Sequence, residues 1–502
     1  MNWLSLKSGS DVRGTAIGED AVLTGEVAKA LGLAFAQRIA KEKGKDPGEV
    51  TIAVGRDSRV SGPDLLRSAV EGINRAGAAA MDFGMCTTPA MFMSTITEGF
   101  EPDGSIMITA SHHPWMKNGL KFFTAKGGLE GREVEELLRV AETLKPEEYP
   151  VTGKVTERAF LPVYSAQLAD RIRKGLHTEE EKPLSGLHIA VDAGNGAGGF
   201  YAELLQSLGA DIAGSQFLDP DGHFPNHIPN PENKEAIESL KKAVVNSGAD
   251  LGVIFDTDCD RAAVADADGK EINRNRLIAL ISAILLEQKP GQVIVTDSVT
   301  SSGLKQFIEK RSGEHYRFKR GYRNVIDEAI RLNGEGKECP LAIETSGHAA
   351  LKENHFLDDG MYLVTVLIVK AMEMKRQGLS LGSLIADLKD PAESAEIRLN
   401  ILEEDFRSKG EEAIAAVTGR AEKDPAWHIA PDNREGIRIS FDLNGEKDSG
   451  WFLLRLSVHD PVLPLNAESD VPGGVKQMLK ALYDALKDIR GIDFSGLEAA
   501  LR

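Results

Sequence analysis

The segment GSIMITASHHPWMKNGLKFF, Gly104–Phe123, decides how this chain folds. A short apolar run, Ile106, Met107 and Ile108, stops at Thr109-Ala110-Ser111-His112-His113-Pro114 and an apolar pattern resumes after Asn118-Gly119. The pattern predicts a buried strand, an exposed loop and a second strand. Pro114 and the Asn118-Gly119 turn signal keep the polar segment out of sheet and helix. Ser111 is then held at a strand end with His112 beside it. Taken alone, a Ser next to a His in a loop is more often turn chemistry than catalysis, so the rest of the chain has to decide.

Three segments share one layout: Ile52–Gly62 (IAVGRDSRVSG), Ile189–Gly199 (IAVDAGNGAGG) and Val293–Gly303 (VIVTDSVTSSG). Each offers an apolar strand, a polar loop and a Gly at a fixed offset. Each is followed by a helix-like stretch, Pro63–Ala69, Phe200–Leu208 or Leu304–Lys310. Self-similarity at fixed offset predicts a repeated α/β unit. Each unit later supplies another apolar strand ending in polar residues: Gly104–Ala110 leads to Ser111, Leu251–Phe255 to Asp256-Thr257-Asp258-Cys259-Asp260-Arg261, and Leu341–Ile343 to Glu344-Thr345-Ser346-Gly347-His348. Ligands of α/β sheets bind beyond the carboxyl ends of strands, so three equivalent strand ends are expected to face one central cleft. After about Asp390 the style changes. Ala395–Asn400, Gly436–Leu443 and Trp451–Ser457 read as strands and Gln477–Ile489 as a helix, which predicts a C-terminal α+β domain. The expected fold is three similar mixed α/β domains, residues 1–155, 156–275 and 276–390, plus an α+β domain over 391–502.

The acidic loop carries the strongest chemistry. Asp256, Asp258 and Asp260 place three carboxylates in five residues after a buried strand, where their repulsion calls for a hard divalent cation with oxygen ligands. An EF-hand is rejected because its sixth and twelfth positions fall on Arg261 and Ala267. Three carboxylates with room for an outside oxygen suit Mg²⁺ held partly by a phosphate, and Arg261 complements that anion. The competing reading is a solvated acidic turn, against which the apolar flanks Leu251–Phe255 and Ala262–Ala265 speak. Glu344 and His348 offer a carboxylate and an imidazole for sugar hydroxyls or proton transfer, or else an ordinary turn. Arg455 and Ser457, in Arg455–Pro461 after an apolar strand, pair a guanidinium with a hydroxyl as a phosphate would require, or lie on a surface loop. Arg13 is a further loop arginine.

Size and composition bound the function. At 502 residues the chain exceeds one core. Its net charge of -18 leaves no basic excess for a nucleic-acid backbone, while a small anion fits local Arg and Lys. Cys86, Cys259 and Cys339 are scattered and odd in number, which predicts neither a disulfide framework nor a zinc site and fits a reducing compartment. Leu277–Leu286 and Met361–Val369 are too short to span a bilayer, and the N-terminus does not begin like a signal peptide. A cytoplasmic protein with a small-molecule partner, and no nucleic acid or membrane, is expected.

With these loops assembled, the sequence resembles the α-D-phosphohexomutase superfamily, in its phosphomannomutase/phosphoglucomutase branch, over essentially its whole length. Thr109–Pro114 looks like the phosphoserine loop TASHNP, Asp256–Arg261 like the metal loop DGDxDR, Glu344–His348 like the sugar loop GExSGH, and Arg455–Pro461 like a degraded phosphate loop RxSxTxP. The resemblance implies a phosphorylated Ser111 that, with Asp256, Asp258 and Asp260, binds Mg²⁺. It implies interconversion of hexose 1-phosphates and 6-phosphates, of glucose and/or mannose, through a hexose 1,6-bisphosphate that also serves as activator. Synthesis of that bisphosphate, a glucosamine phosphate mutase and a non-catalytic sugar-phosphate sensor stand as alternatives. It further implies that Arg13 and Lys121 assist proton transfer with His348, and His112, beside Ser111, is a further catalytic candidate. Glu344, Ser346, Tyr322, Arg455, Ser457 and His459 would hold the sugar phosphate in a monomer or dimer. Three departures bear on substrate choice and phosphate affinity: Ser10 precedes Asp11-Val12-Arg13-Gly14, His113 stands in the serine loop, and Val458-His459 stands in the phosphate loop. As an imidazolium, His459 is expected to replace the lost phosphate donors.

Overall fold

A computed structural model describes residues 2–457 and 460–502; Val458 and His459, and the expectation placed on them, lie outside the described residues. The chain divides into two compact units, Met1–Asn273 with Ser346–Ser383 and Arg274–Thr345 with Leu384–Arg502.

In the first unit, a large sheet runs in the order Lys7–Ser8, Asp11–Thr15, Lys117–Thr124, Gly104–Ile108, Thr51–Arg56, Ala79–Met85, Val155–Glu157. Thr51–Arg56 is parallel to both its neighbours, while Lys117–Thr124 runs antiparallel to Gly104–Ile108. Helices Gly25–Lys43, Gly62–Arg75 and Gly131–Thr143 share with this sheet a core that includes Leu31, Phe35, Ile52, Ile106 and Phe122. Thr24 caps the first helix by accepting from the Val27 N–H, and Gly44 ends it in the left-handed region. A smaller sheet pairs Ile189–Asp192 parallel with Leu251–Phe255, which turns back antiparallel as Ala262–Asp266. The serine loop and the acidic loop are therefore both hairpin tips, each leaving a fully buried strand.

One local expectation fails. Asn118-Gly119 does not turn the chain but lies inside the strand Lys117–Thr124. Gly119 is required there by close approach, since a Cβ would stand 2.4 Å from the Val12 carbonyl oxygen and 2.6 Å from that of Thr109. The buried Asn118 amide donates to Ser61 Oγ at 2.9 Å. The pair marks a crowded sheet, with the reversal made upstream around Pro114.

In the second unit, Val293–Thr296 lies parallel to Glu314–Arg317 and to Leu341–Ile343, with helices Asn275–Gln288, Ser302–Lys310 and Tyr322–Gly334. The C-terminal sheet is antiparallel in the order His428–Ile429, Ile437–Leu443, Glu446–Leu454, Val462–Ser469, Glu393–Ile401, Ile492–Asp493. Helices Phe406–Ala421 and Gly474–Leu486 contribute to its core. The fold is α/β in three successive segments and α+β in the last. Among the described residues no helix is long and apolar enough to cross a membrane. The three cysteines are buried.

Candidate active site

The serine loop begins where Gly104–Ile108 ends. Ser111 is 1% exposed and takes a left-handed backbone, φ +52°, unusual for a residue with a Cβ. Its N–H donates to Thr109 Oγ1 at 2.8 Å, and Thr109 in turn donates to Asp57 at 2.6 Å. Its own Oγ donates to Asp256 Oδ2 at 2.9 Å and accepts from Arg261 Nη2 at 2.6 Å. A serine hydroxyl held between a carboxylate and a guanidinium has both a proton acceptor and a cation at hand.

The acidic loop is a buried structure, not a solvated turn: Asp256 and Asp258 are fully buried and Asp260 is 2% exposed. Arg261 turns back on it, its backbone N–H and Nε both 3.2 Å from Asp256 carboxylate oxygens. Lys121, reaching in from the strand Lys117–Thr124, stands 2.5 Å from Asp260 Oδ2 and 3.4 Å from Asp258 Oδ2. Burial, and then the charges of Asp260 and Asp258, push Asp256 well above the usual carboxylate range. Burial presses Asp260 the same way, but Lys121, His348 and Arg261 outweigh it and hold that carboxyl below its ordinary value. Carboxylate oxygens of Asp256, Asp258 and Asp260 converge within 4.8 Å of one another, and Asp258 Oδ1 and Asp260 Oδ1 are buried without a hydrogen-bond partner. Hard oxygen donors left unsatisfied in a buried cluster fit a divalent cation.

Two histidines of the serine loop lie beside Arg261. His112 Nδ1 accepts from Arg261 Nη2, which leaves Nε2 to carry the proton in the neutral ring. Burial and then the charges of Arg261, His113 and Arg13 depress His112 to about 2. His113, stacked on it at a centroid distance of 5.0 Å, is lowered to about 4, first by burial. Both rings are neutral at physiological pH. His348 Nδ1 lies 2.9 Å from Ser346 Oγ, and its Nε2 stands 3.6 Å from Asp358 and 3.7 Å from Asp260. Arg13, on the strand Asp11–Thr15, pairs with Asp11 at 2.8 Å. Of the residues singled out in the sequence, the first unit thus gathers Ser111, His112, Lys121, Asp256, Asp258, Asp260 and Arg261, joins His348 to them through Asp260, and carries Arg13 and Ser346.

The remaining candidates belong to the second unit. Glu344, 3% exposed, accepts from the Gly321 N–H at 2.6 Å, just ahead of Tyr322. Thr345 donates its hydroxyl to Asp297 at 2.7 Å. Burial, and next to it the Glu344 charge, raise Asp297 to about 7 despite Arg320. Arg455 Nη1 stands 3.9 Å from Glu435, which also accepts from Ser298 Oγ at 2.6 Å and from the Arg320 N–H at 3.1 Å. Ser457 Oγ accepts from the Asp460 N–H at 3.2 Å.

The chain matches known proteins over most of its length. Models described as phosphoglucomutase/phosphomannomutase, alpha/beta/alpha domains I, II and III, match residues 5–147, 164–269 and 273–391. A phosphoglucomutase of Neisseria gonorrhoeae is 30% identical over 93% of this chain and 94% of its own length. The chain belongs to the phosphoglucomutase/phosphomannomutase family of phosphohexomutases. A Pseudomonas aeruginosa phosphomannomutase/phosphoglucomutase is 30% identical over 95% of each chain. A Burkholderia thailandensis protein of the same family, solved by crystallography, superposes with a TM-score of 0.79 at 27% identity over 98% of each chain.

Several residues of this phosphohexomutase that touch the loops were not singled out in the sequence. Thr88 donates to Asp258, Asp57 anchors Thr109, and the fully buried Arg59 donates to carbonyls of the serine loop. The signal was present in Gly55-Arg56-Asp57-Ser58-Arg59, where charged residues follow a buried strand directly, as they do at Asp256. Asp297 carries the same signal in the second unit.

Proposed function

We propose that this phosphohexomutase interconverts hexose 1-phosphates and 6-phosphates, of glucose or mannose, with Ser111 as the phosphoryl carrier. The observation that carries this reading is the Ser111 hydroxyl set between Asp256 and Arg261, beside buried carboxylate oxygens that have no donor. Asp256, Asp258, Asp260 and an oxygen on Ser111 would hold Mg²⁺, which when bound neutralises phosphoryl charge.

With Ser111 phosphorylated, transfer to a sugar hydroxyl breaks the bond from phosphorus to Oγ and makes one to the sugar oxygen. The hydroxyl proton leaves to a neighbouring base, and Oγ is released as an alkoxide stabilised by Arg261. Lys121, Arg13 and His348 are the groups proposed to handle these protons, with Asp260 orienting both Lys121 and His348. His112, neutral and fixed by Arg261, serves as a hydrogen-bond donor through Nε2. The product is a hexose 1,6-bisphosphate, which returns its other phosphate to Ser111 in the reverse of the same step and, added in trace, primes unphosphorylated enzyme. Glu344, Ser346 and Tyr322 are proposed to read ring hydroxyls, and Arg455 and Ser457 to hold the phosphate that does not react. The relatives' names, phosphoglucomutase and phosphomannomutase/phosphoglucomutase, support glucose and mannose phosphates as first substrates.

The test is a panel of glucose, mannose and glucosamine 1-phosphates with Mg²⁺ and trace bisphosphate, alongside peptide mapping of phosphate on Ser111. Turnover to the 6-phosphate with label on Ser111 is expected. Accumulation of free bisphosphate as main product would replace mutase with bisphosphate synthesis, and release of inorganic phosphate would make the protein a phosphohydrolase.

A further inference from the structure

The serine loop is held by a side chain outside the reacting set. Arg59 is fully buried, and its guanidinium donates Nη1 to the carbonyls of Pro114 at 3.0 Å and Lys117 at 2.9 Å, and Nη2 to those of His113 at 2.7 Å and Ser111. Three of these acceptors belong to the loop between the two strands, and Lys117 opens the second strand. Asp57 fixes Arg59 from behind: its Oδ1 accepts the Arg59 N–H at 2.9 Å, and its Oδ2 lies 3.3 Å from Nε. The same Asp57 Oδ2 accepts from Thr109 Oγ1, which accepts the Ser111 N–H. One buried ion pair therefore grips both the N–H and the C=O of Ser111, the residue whose backbone sits in the left-handed region. An unbraced residue with a Cβ would leave that region readily.

A second loop closes the clamp from the other side. The Phe224 ring centroid is 5.2 Å from the Arg59 guanidinium carbon. Gly222 lies so close to the Ser58–Val60 backbone that a Cβ on it would stand 2.4 Å from the Ser58 carbonyl oxygen and from the Val60 nitrogen. Asn195 ties this loop down, its side chain donating to the Asp219 carbonyl at 2.9 Å and its own carbonyl accepting the Asp221 N–H at 2.9 Å.

We propose that Arg59 is a positioning residue for phosphoryl transfer: it imposes the left-handed backbone at Ser111 that aims Oγ at Asp256 and Arg261, with Gly222 and Phe224 as its buttress. The inference rests on Ser111 as the phosphoryl carrier. A planar fork with five N–H donors satisfies four fanned carbonyls, which the three donors on a single lysine nitrogen cannot do. Loss of the fork frees the loop without removing any group that touches substrate.

The experiment compares full-length wild type, Arg59→Lys, Thr109→Val and a core variant, Val54→Ala, chosen to match the loss of Tm. For each, kcat and KM for glucose 1-phosphate are measured with bisphosphate and Mg²⁺, together with the single-turnover rate at which labelled phosphate leaves Ser111. A displacement of the order of an ångström costs about 10²-fold, so Arg59→Lys should lower kcat and the transfer rate by about that factor with KM within about threefold. Thr109→Val, which keeps Arg59 but unfastens the Ser111 N–H, should lose roughly tenfold in kcat, and Val54→Ala should keep kcat near wild type. Thr109→Val decides alone if Arg59→Lys does not fold. Wild-type transfer rates in the clamp variants, or an equal loss in Val54→Ala, overturn the inference. If Ser111→Ala still turns over, the phosphoserine reading fails and the inference with it; if Ser111→Ala is inactive while the clamp variants are unimpaired, the inference alone fails.

Discussion

Ser111 and Ser457 both carry hydroxyls shortly after a strand whose last residues are buried, yet their surroundings differ sharply. Ser111 is buried, its backbone is clamped at N–H and C=O, and its Oγ already contacts a carboxylate and a guanidinium. Ser457 is half-buried and its Oγ contact is the Asp460 N–H in its own loop, while the neighbouring Arg455 stands 3.9 Å from Glu435. The difference follows the work proposed for each place. Charge that develops in a transition state is stabilised best by dipoles and charges that need not reorganise, so the groups around Ser111 are fixed in advance. A site that must accept a phosphate from either end of a sugar gains from groups free to adjust. Preorganisation at the serine loop fits its proposed role as phosphoryl carrier, while the grip proposed for Arg455 and Ser457 has fewer partners already in place.

The largest effect that tests this contrast is at Ser111 itself: Ser111→Ala should show no mutase turnover and no phosphate by intact mass, and appreciable activity would break the assignment of the rigid region as the chemical one. Next comes the cation. Asp258→Asn removes a buried carboxylate without changing its volume and should lower kcat by about 10² or more, since a bound ion supplies several kcal/mol of charge stabilisation. EDTA should silence wild type in the same assay, and full activity in EDTA would show that the unsatisfied oxygens serve another purpose.

Arg455→Ala probes the adaptable region. A hydrogen bond to a charged group is worth about 1.5–3 kcal/mol, so KM for the sugar phosphate should rise roughly 10- to 150-fold with a smaller change in kcat. A kcat loss as large as that of Asp258→Asn would mean that Arg455 belongs to the preorganised set. The smallest effect is expected at Asp297, whose carboxyl is raised to about 7 by burial and then by Glu344. Between its ordinary value near 3.8 and about 7, the folded protein keeps a proton that the unfolded chain has released. This group's contribution to stability is therefore fully present below that window and falls as pH rises through it. Asp297→Asn should flatten the decline of Tm from pH 5 to 8 by roughly a few °C; parallel profiles for mutant and wild type would place the titration elsewhere.

Much of the site was legible because its chemistry is concentrated in short runs. Three aspartates within five residues, flanked by apolar strands, state a buried charge problem that a cation solves, and the buried Asp256, Asp258 and Asp260 match that reading. The helix and strand patterns likewise located the C-terminal segment, where Glu393–Ile401 and Ile437–Leu443 match two expected strands, while the one expected over Trp451–Ser457 runs from Glu446 to Leu454. Asn118-Gly119 shows where local reading fails, since the same dipeptide serves a hairpin turn or a crowded strand according to what packs against it.

By itself the sequence determined which residues could carry charge, phosphate and protons, because composition and spacing record burial and local backbone preference. Only the tertiary structure decided how they act together. The Ser111 hydroxyl meets Asp256 across 145 residues of chain, and Arg59 grips the Ser111 carbonyl across 52. Hydrogen bonds depend on direction and on distances of about 3 Å. No spacing along the chain encodes these, and they appear only once packed strands bring separate loops to one place.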